Sequence, residues 1–290
     1  MNNCDSRDCF CRVRIENTMT VVVNGKEIAN RIEKDLRDTV GARPIRPRLD
    51  IFIVGSDPVT ASFIAAKRRV ASEINVEFSE HVLPVKTTTK EIVECIRDVA
   101  PDSGGVVVQL PLPTHISQDI VLGAIPPEKD VDVLNKKTLR AFANGDTHFV
   151  PPVAGSVDQI FRSYDISVYG KAVAIVGKGQ LVGLPLDILL RKMGAQTKVL
   201  DRSTTPHTFI HTLKSSDIVI SGAGVPSLIT PSMLKPGVVL IDAGTSSAGG
   251  SIKGDVSDDC IKVASLISKT PGGVGPLTVA ILFKNLIHGQ

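Results

Sequence analysis

The sequence is short of the features that mark a specialised protein. No apolar run of about 18 residues occurs, so nothing in it reads as a membrane span. Charge of one sign is not in excess: Lys+Arg 33 against Asp+Glu 30 leaves a net +3, and the basic residues are dispersed. That pattern argues against a nucleic-acid partner. Cysteine is scarce and odd in number, at 5, which argues against a disulfide framework and fits a reducing, cytoplasmic setting. Cys4, Cys9 and Cys11 lack the paired knuckle of a structural zinc site, and no metal is expected. Residues 1–18 have no apolar segment of a secretory signal; they read as a poorly ordered extension, with Met19 as an alternative start. Tryptophan is absent, but 42% hydrophobic, 22% charged, Gly 24 and Pro 18 are otherwise ordinary values. They exclude fibrous, collagen-like and wholly disordered classes. At 290 residues a single core stops growing, so two domains are expected.

From Thr20 onward strands alternate with helices. Val21–Val23 opens the pattern, and Ile28, Ile32, Leu36 and Val40 mark a helix. A buried strand follows at Leu49–Val54, then a helix from Pro58 to about Ile74, a strand near Val76–Leu83, a helix near Thr89–Val99 and a strand at Gly105–Leu110. Gly145–Gly155 reads as a junction. Beyond it come a strand at Ala172–Val176, a glycine turn, a helix over Leu184–Met193, and strands near Thr197–Leu200, Ile218–Ser221 and Val238–Asp242. Short apolar strands separated by helices indicate parallel sheets with covered faces, so the fold class is α/β, in two domains.

The second half carries the clearer chemical signal. Gly177-Lys178-Gly179-Gln180-Leu181-Val182-Gly183 lies between a strand and a helix, where glycine lets a phosphate approach backbone N–H groups at a helix N-terminus. Its G-x-G-x-x-x-G spacing is one residue longer than the usual dinucleotide fingerprint, and a strand–helix turn without a nucleotide is the plainer alternative. Asp201, at the end of the next strand, stands where a carboxylate meets an adenosine ribose, while Lys178 and Arg202 could receive a 2′-phosphate. All three could also belong to a solvated loop. Ser221-Gly222-Ala223-Gly224 and Asp242-Ala243-Gly244-Thr245 close two further strands, at the end where open α/β sheets bind ligands.

In the first half Phe63 and Lys67 are four apart and share a helix face. A lysine turned into a cleft has its pKa lowered by burial and becomes an acid/base group; a solvated lysine is the plainer alternative. Gln109 ends an apolar strand, where it could bind a ligand, partner a buried lysine or sit satisfied in the core. Asp130 and Asp132 face the same side only if their stretch is extended.

Together these segments resemble the bifunctional methylenetetrahydrofolate dehydrogenase/methenyltetrahydrofolate cyclohydrolase family. The resemblance runs from about Thr20 to the C-terminus. Thr270-Pro271-Gly272-Gly273-Val274-Gly275-Pro276-Leu277-Thr278 is close to the family's P-G-G-V-G-P-M-T, Val108-Gln109-Leu110-Pro111-Leu112-Pro113 matches its V-Q-L-P-L-P, and Lys129–Asp132 its K-D-V-D. Val54–Pro58 with Lys67 matches its first strand and catalytic helix, and Gly177–Pro185 its cofactor turn.

The resemblance implies oxidation of 5,10-methylenetetrahydrofolate by NADP+, then hydrolysis of the methenyl product to 10-formyltetrahydrofolate. It implies a folate domain over residues 19–150 plus the C-terminal helix 275–290, a Rossmann-like NAD(P) domain over 151–274, a cleft between them, and a homodimer. By position, Lys67, Gln109 and Asp132 are the implied catalytic group: the lysine assists water attack, the glutamine tunes it, the aspartate grips the pterin. Phe63, Val108, Leu110, Pro271, Gly272 and Gly273 would line the folate site. Gly177, Lys178, Gly179, Val182, Gly183, Asp201, Arg202, Ala223, Gly224 and Thr245 would hold the cofactor.

The sequence departs from the family at telling places. Phe63 stands where the family has Tyr, which is expected to weaken hydrolysis more than oxidation. Val133 replaces the glycine after K-D-V-D, and Val150–Gly155 replaces P-C-T-P-x-G. Lys178, Gly179 and Arg202 replace arginine and two serines, and Asp201 would repel a 2′-phosphate if turned inward, so NAD stays open beside NADP. A monofunctional NAD-linked dehydrogenase, a folate- or nucleotide-binding module without turnover, and a similar dehydrogenase acting on another small substrate are the alternatives. A binder has no use for the Lys67–Gln109 pair, and the P-G-G-V-G-P segment speaks for folate.

Overall fold

Two parallel sheets stand side by side and share one long apolar helix. The computed structural model describes residues 19–55, 58–248 and 251–289, so the extension expected over residues 1–18 lies outside them. The first sheet is three-stranded, in the order β3 (Glu77–Leu83), β2 (Arg48–Val54), β4 (Gly105–Val108). Five of the seven β2 residues are buried, as suits a central strand covered on both faces. The flanking helices α1 (Gly25–Gly41), α2 (Pro58–Glu73) and α3 (Thr89–Val99) match the apolar periodicity closely. Asn24 caps α1 through Glu27 N at 3.1 Å, and Thr88 with Glu91 forms a capping box on α3.

The second sheet is six-stranded and wholly parallel, in the order β1 (Val21–Val22), β11 (Ala264–Ser268), β8 (Val238–Asp242), β7 (Ile218–Ser221), β5 (Ala172–Val176), β6 (Gln196–Leu200). Helices α7 (Gly183–Lys192) and α8 (Pro206–Ser215) alternate with these strands. The order reverses between β5 and β7, the kind of switch point at which doubly wound sheets bind nucleotides.

Four sequence expectations need correction. The opening strand does not belong with the first sheet: β1 pairs with β11, Val21 opposite Leu266, because parallel pairing is set by long-range contacts and not by local pattern. The Thr20 hydroxyl fastens it, its single O–H shared between the carbonyls of Ile261 at 2.6 Å and Ala264 at 2.8 Å. The strand expected over Gly105–Leu110 stops at Val108. The strand set of the second half also includes β11, whose two serines break the apolar run that marks the other strands. The Gly145–Gly155 junction runs into α6 (Pro152–Ser163), where Pro151 and Pro152 suit a helix start rather than a linker. Three shorter elements, α4 (Gln118–Gly123), α5 (Lys136–Asn144) and the hairpin of β9 (Ser246–Ala248) with β10 (Ser251–Lys253), also escape the periodicity.

The last helix, α9 (Val274–His288), joins the two halves. Its Leu282, Phe283 and Leu286 enter the core around β2, while Leu277 and Ala280 enter the core around β5. It packs on α1 and α6, and Gly155 admits α6 closely, since a Cβ there would come within 2.9 Å of Ile281. Buried Asn285 donates to the carbonyls of Val131 and Val150, each at 2.8 Å, and accepts from Val150 N at 3.1 Å. One polar side chain in an apolar helix thereby fixes the segment that carries Asp132. Among the described residues no helix is long and apolar enough to cross a membrane.

Candidate active site

The first-half constellation assembles at the carboxyl ends of β2 and β4. Lys67 sits half-buried on α2 and donates from Nζ to Gln109 Oε1 at 2.8 Å. Gln109 is 9% exposed and is aimed by two contacts: its backbone N–H reaches Phe52 O at 2.9 Å, and its Nε2 reaches Leu110 O at 2.8 Å. Burial pushes the Lys67 ammonium below the usual lysine range, and Asp132 pulls it partly back. Burial pushes the Asp132 carboxyl up, against the pull of Lys67. A lysine made less basic, with an amide oxygen to orient it and a carboxylate in electrostatic reach, is a proton-transfer site.

The Asp132 segment is held from beneath. Asp130 is fully buried and accepts from Leu134 N at 3.2 Å and Asn135 N at 2.8 Å; burial pushes its carboxyl up to about 6. Val133, at the position of the family glycine, has φ +56° and is 2% exposed. A β-branched residue in the left-handed region is strained, so this chain keeps a costly backbone beside Asp132.

The lining expected of the other first-half residues is uneven. Phe63 is half-buried one helical turn before Lys67. Val108 is 1% exposed and packed with Phe52, Ile92 and Ile96, so its side chain belongs to the core and only its backbone is left for a ligand. Leu110 is half-buried at the rim of the same cluster. Pro271 and Gly272 are exposed, whereas Gly273 is buried at the start of α9. The Thr270 hydroxyl donates to Asp242 O at 3.1 Å, which sets this segment at the carboxyl end of β8 in the second sheet.

The glycine turn is built as a cradle. Gly177 has φ +103°, and a Cβ on Gly183 would come within 1.9 Å of Gly177 O. A Cβ on Gly222 would strike the Val182 side chain at 2.3 Å, so three glycines and one valine fit β5, α7 and the end of β7 together. Lys178, Gly179 and Arg202 are exposed around the turn. Asp201 Oδ1 accepts from Ser203 N at 2.9 Å and Ser203 Oγ at 2.5 Å, and these hydrogen bonds, with the nearby Lys178, hold its carboxyl below the usual range. Its Oδ1 is thereby turned to its own loop, and the carboxylate stays ionised. Gly224, at φ +68°, lies against the Thr245 carbonyl, so Ala223, Gly224 and Thr245 form one wall.

Gln180, which no spacing within the glycine turn marks out, ties the halves. Its Nε2 donates to Leu134 O at 2.8 Å, and Gln118 Nε2 donates to its Oε1 at 3.4 Å. The glycine turn of one sheet therefore faces the Asp132 segment of the other across a cleft.

A doubly wound sheet with a glycine cradle at its switch point, facing a less basic lysine across a cleft, defines a two-domain nicotinamide-nucleotide-dependent dehydrogenase with an acid/base site of its own. The chain belongs to the tetrahydrofolate dehydrogenase/cyclohydrolase family: its catalytic-domain model matches residues 23–132 and its NAD(P)-binding-domain model residues 151–290. The bifunctional protein FolD 2 of Desulfitobacterium hafniense is 34% identical over 93% of this chain and 97% of its own. The methylenetetrahydrofolate dehydrogenase-cyclohydrolase of Trypanosoma brucei, solved with NADP cofactor and inhibitor, is 31% identical with a TM-score of 0.89 over 93% of this chain and 97% of its own. The NAD-dependent 5,10-methylenetetrahydrofolate dehydrogenase of Saccharomyces cerevisiae, at 18% identity and a TM-score of 0.80 over 93% and 96%, shares the fold.

Proposed function

We propose that this protein oxidises 5,10-methylenetetrahydrofolate with NADP+ and hydrolyses the resulting 5,10-methenyl compound to 10-formyltetrahydrofolate in the same cleft. The observation that carries the reading is the Lys67 Nζ to Gln109 Oε1 hydrogen bond of 2.8 Å, set opposite the glycine cradle. An oxidation that needs only positioning has no use for a buried lysine; a hydrolysis does.

For hydrolysis, Lys67 in its neutral form takes one proton from the water as its oxygen bonds to the methenyl carbon, and passes it to the folate nitrogen as the bond from that nitrogen to the carbon breaks; the second water proton leaves to solvent as the formyl C=O forms. Gln109 accepts from Nζ and so fixes where the lysine lone pair points. Asp132 accepts N–H bonds from the pterin and holds the methenyl carbon near Lys67. Pro271 and Gly272, exposed at the cleft, offer backbone to the folate. Phe63 supplies no hydroxyl to this proton path, so hydrolysis is the weaker half-reaction.

The residues present fit NADP. The pyrophosphate would meet the backbone N–H groups of Gly177–Gly183 at the start of α7, a turn so tight that a Cβ on Gly177 or Gly183 would strike the chain's own backbone. Lys178 and Arg202, two exposed cations beside the single carboxylate of Asp201, would take the 2′-phosphate, with Asp201 Oδ1 turned to Ser203. Bound there, NADP+ supplies the hydride acceptor. We further assign residues 19–150 and 275–290 to the folate side and 151–274 to the cofactor side, except that β1 is built into the cofactor sheet. A cytoplasmic homodimer joined through the cofactor domains completes the proposal by family likeness.

Replacing Lys67 tests the reading: Lys67→Met is expected to cut hydrolysis of 5,10-methenyltetrahydrofolate by at least about a hundredfold, the scale of a lost acid/base group. Hydrolysis at the wild-type rate would overturn it. Phe63→Tyr is expected to speed hydrolysis and to leave the oxidation rate nearly unchanged; an unaltered hydrolysis rate would remove the hydroxyl from the argument.

A further inference from the structure

Two aspartates that the chemistry above does not use stand buried behind the cofactor wall. Asp242, at the end of β8, is 2% exposed, and Asp255 is 0% exposed. Asp255 Oδ2 accepts from Ser221 Oγ at 2.7 Å, Ala223 N at 2.7 Å and Gly224 N at 3.2 Å, while Oδ1 accepts from Val225 N at 2.7 Å. Asp242 Oδ1 accepts from Gly244 N at 3.0 Å and Asp255 N at 3.1 Å, and its Oδ2 accepts from Val256 N at 3.2 Å. Each carboxylate is packed on the glycine beside the other. A Cβ on Gly244 would come within 2.1 Å of Asp255 Cγ, and one on Gly254 within 1.8 Å of Asp242 Oδ2. The D-A-G of residues 242–244 and the G-D-V of residues 254–256 are two halves of one lock.

Holding two carboxylates this deep is costly, and burial together with the charge of Asp255 pushes Asp242 up to about 6. The arrangement has a chemical reason. Three consecutive backbone N–H groups and a hydroxyl demand a group that accepts on both oxygens and donates on neither, which only an ionised carboxylate provides. The residues so gathered, Ser221–Val225, leave the end of β7, press Gly222 on Val182 of the glycine turn and rest Gly224 on Thr245.

We propose that Asp255, braced by Asp242, is a positioning residue for the dinucleotide: it fixes the Ser221–Val225 loop that walls the cofactor site. The proposal rests on the reading of that face as the NADP site. It separates the two activities, because the loop belongs to the cofactor side and the Lys67 site works without it.

The test uses the full chain and two variants. Asp255→Asn exchanges acceptors for a donor at nearly the same volume. NADP+ affinity is read by calorimetry without folate, hydrolysis of 5,10-methenyltetrahydrofolate is read without NADP+, and thermal unfolding is followed. The expected result is NADP+ affinity weakened by about tenfold or more, with hydrolysis within about twofold of wild type. Equal weakening of both, or NADP+ affinity unchanged in a folded variant, overturns the proposal. If Asp255→Asn does not fold, Ser221→Ala, which removes a single donor, is expected to weaken NADP+ by about threefold with hydrolysis intact, and unchanged affinity there overturns it. Wild-type protein that binds no NADP+ would instead refute the cofactor reading beneath it.

Discussion

Lys67, Gln109 and Asp132 are separated by 42 and 23 positions, yet each is aimed by its neighbours rather than by its own freedom. Gln109 is fixed at both ends of its amide, so Lys67 meets an oxygen and not a nitrogen. The sign of the lysine's response to its aspartate is testable. Burial lowers the Lys67 pKa and Asp132 raises it, so Asp132→Asn removes the opposing pull and lowers it further. Hydrolysis that needs neutral Lys67 then keeps its rate to lower pH, and the acid limb of kcat against pH shifts downward. A limb that stays in place or moves up would show that Lys67 is not the titrating base. The trio was readable as residue types but not as a site. Nothing in spacing shows that α2 and the end of β4 meet, and only the resemblance joined them. Val133 is instructive in the other direction. The sequence marks it as a departure, and the structure gives the departure a meaning, a valine held at φ +56° beside Asp132.

At the scale of elements, the glycine turn was legible because its evidence is local: an apolar strand, glycines, then a helix with Pro185 just inside. The same locality fixed β2, β5, β7 and β8 nearly to the residue. What failed was what local pattern cannot carry. β1 is two exposed residues placed by parallel pairing, and α6 hid behind its prolines. Asn285 is the clearest case of a residue whose role no periodicity reveals: a polar side chain on the buried side of a helix that also carries Thr278, Lys284 and His288. With Lys284 beside it the sequence does not mark it as buried, yet a buried amide must find partners. Asn285→Ala leaves the carbonyls of Val131 and Val150 and the Val150 N–H unpaired, and is expected to cost about 3 kcal/mol in urea unfolding. A loss below about 1 kcal/mol would mean that water replaces the amide and that α9 does not hold the Asp132 segment.

The whole molecule joins two chemistries by geometry. The folate-side sheet presents a lysine of lowered basicity, the cofactor-side sheet presents a glycine cradle, and α9 with Gln180 keeps them facing. Two α/β domains were evident from composition and alternation, whereas their mutual placement was not, because Gln180 to Leu134 and α9 to both cores are contacts between distant segments. Cofactor choice is likewise a property of the assembled loop. Asp201 alone reads as a ribose ligand that favours NAD, but its Oδ1 is turned to Ser203, and the exposed Lys178 and Arg202 set two positive charges beside its one negative charge, a balance that favours NADP. The most direct measurement of the account is a spectrophotometric assay of the purified protein with 5,10-methylenetetrahydrofolate and NADP+, run beside NAD+. Reduced cofactor and methenyl compound are resolved, and added methenyl compound is followed alone. The account predicts NADP+ reduction faster than NAD+ reduction, with the methenyl signal transient and hydrolysed by the same protein. Lasting accumulation of the methenyl compound with no enzymatic hydrolysis, or reduction of neither cofactor, would contradict it.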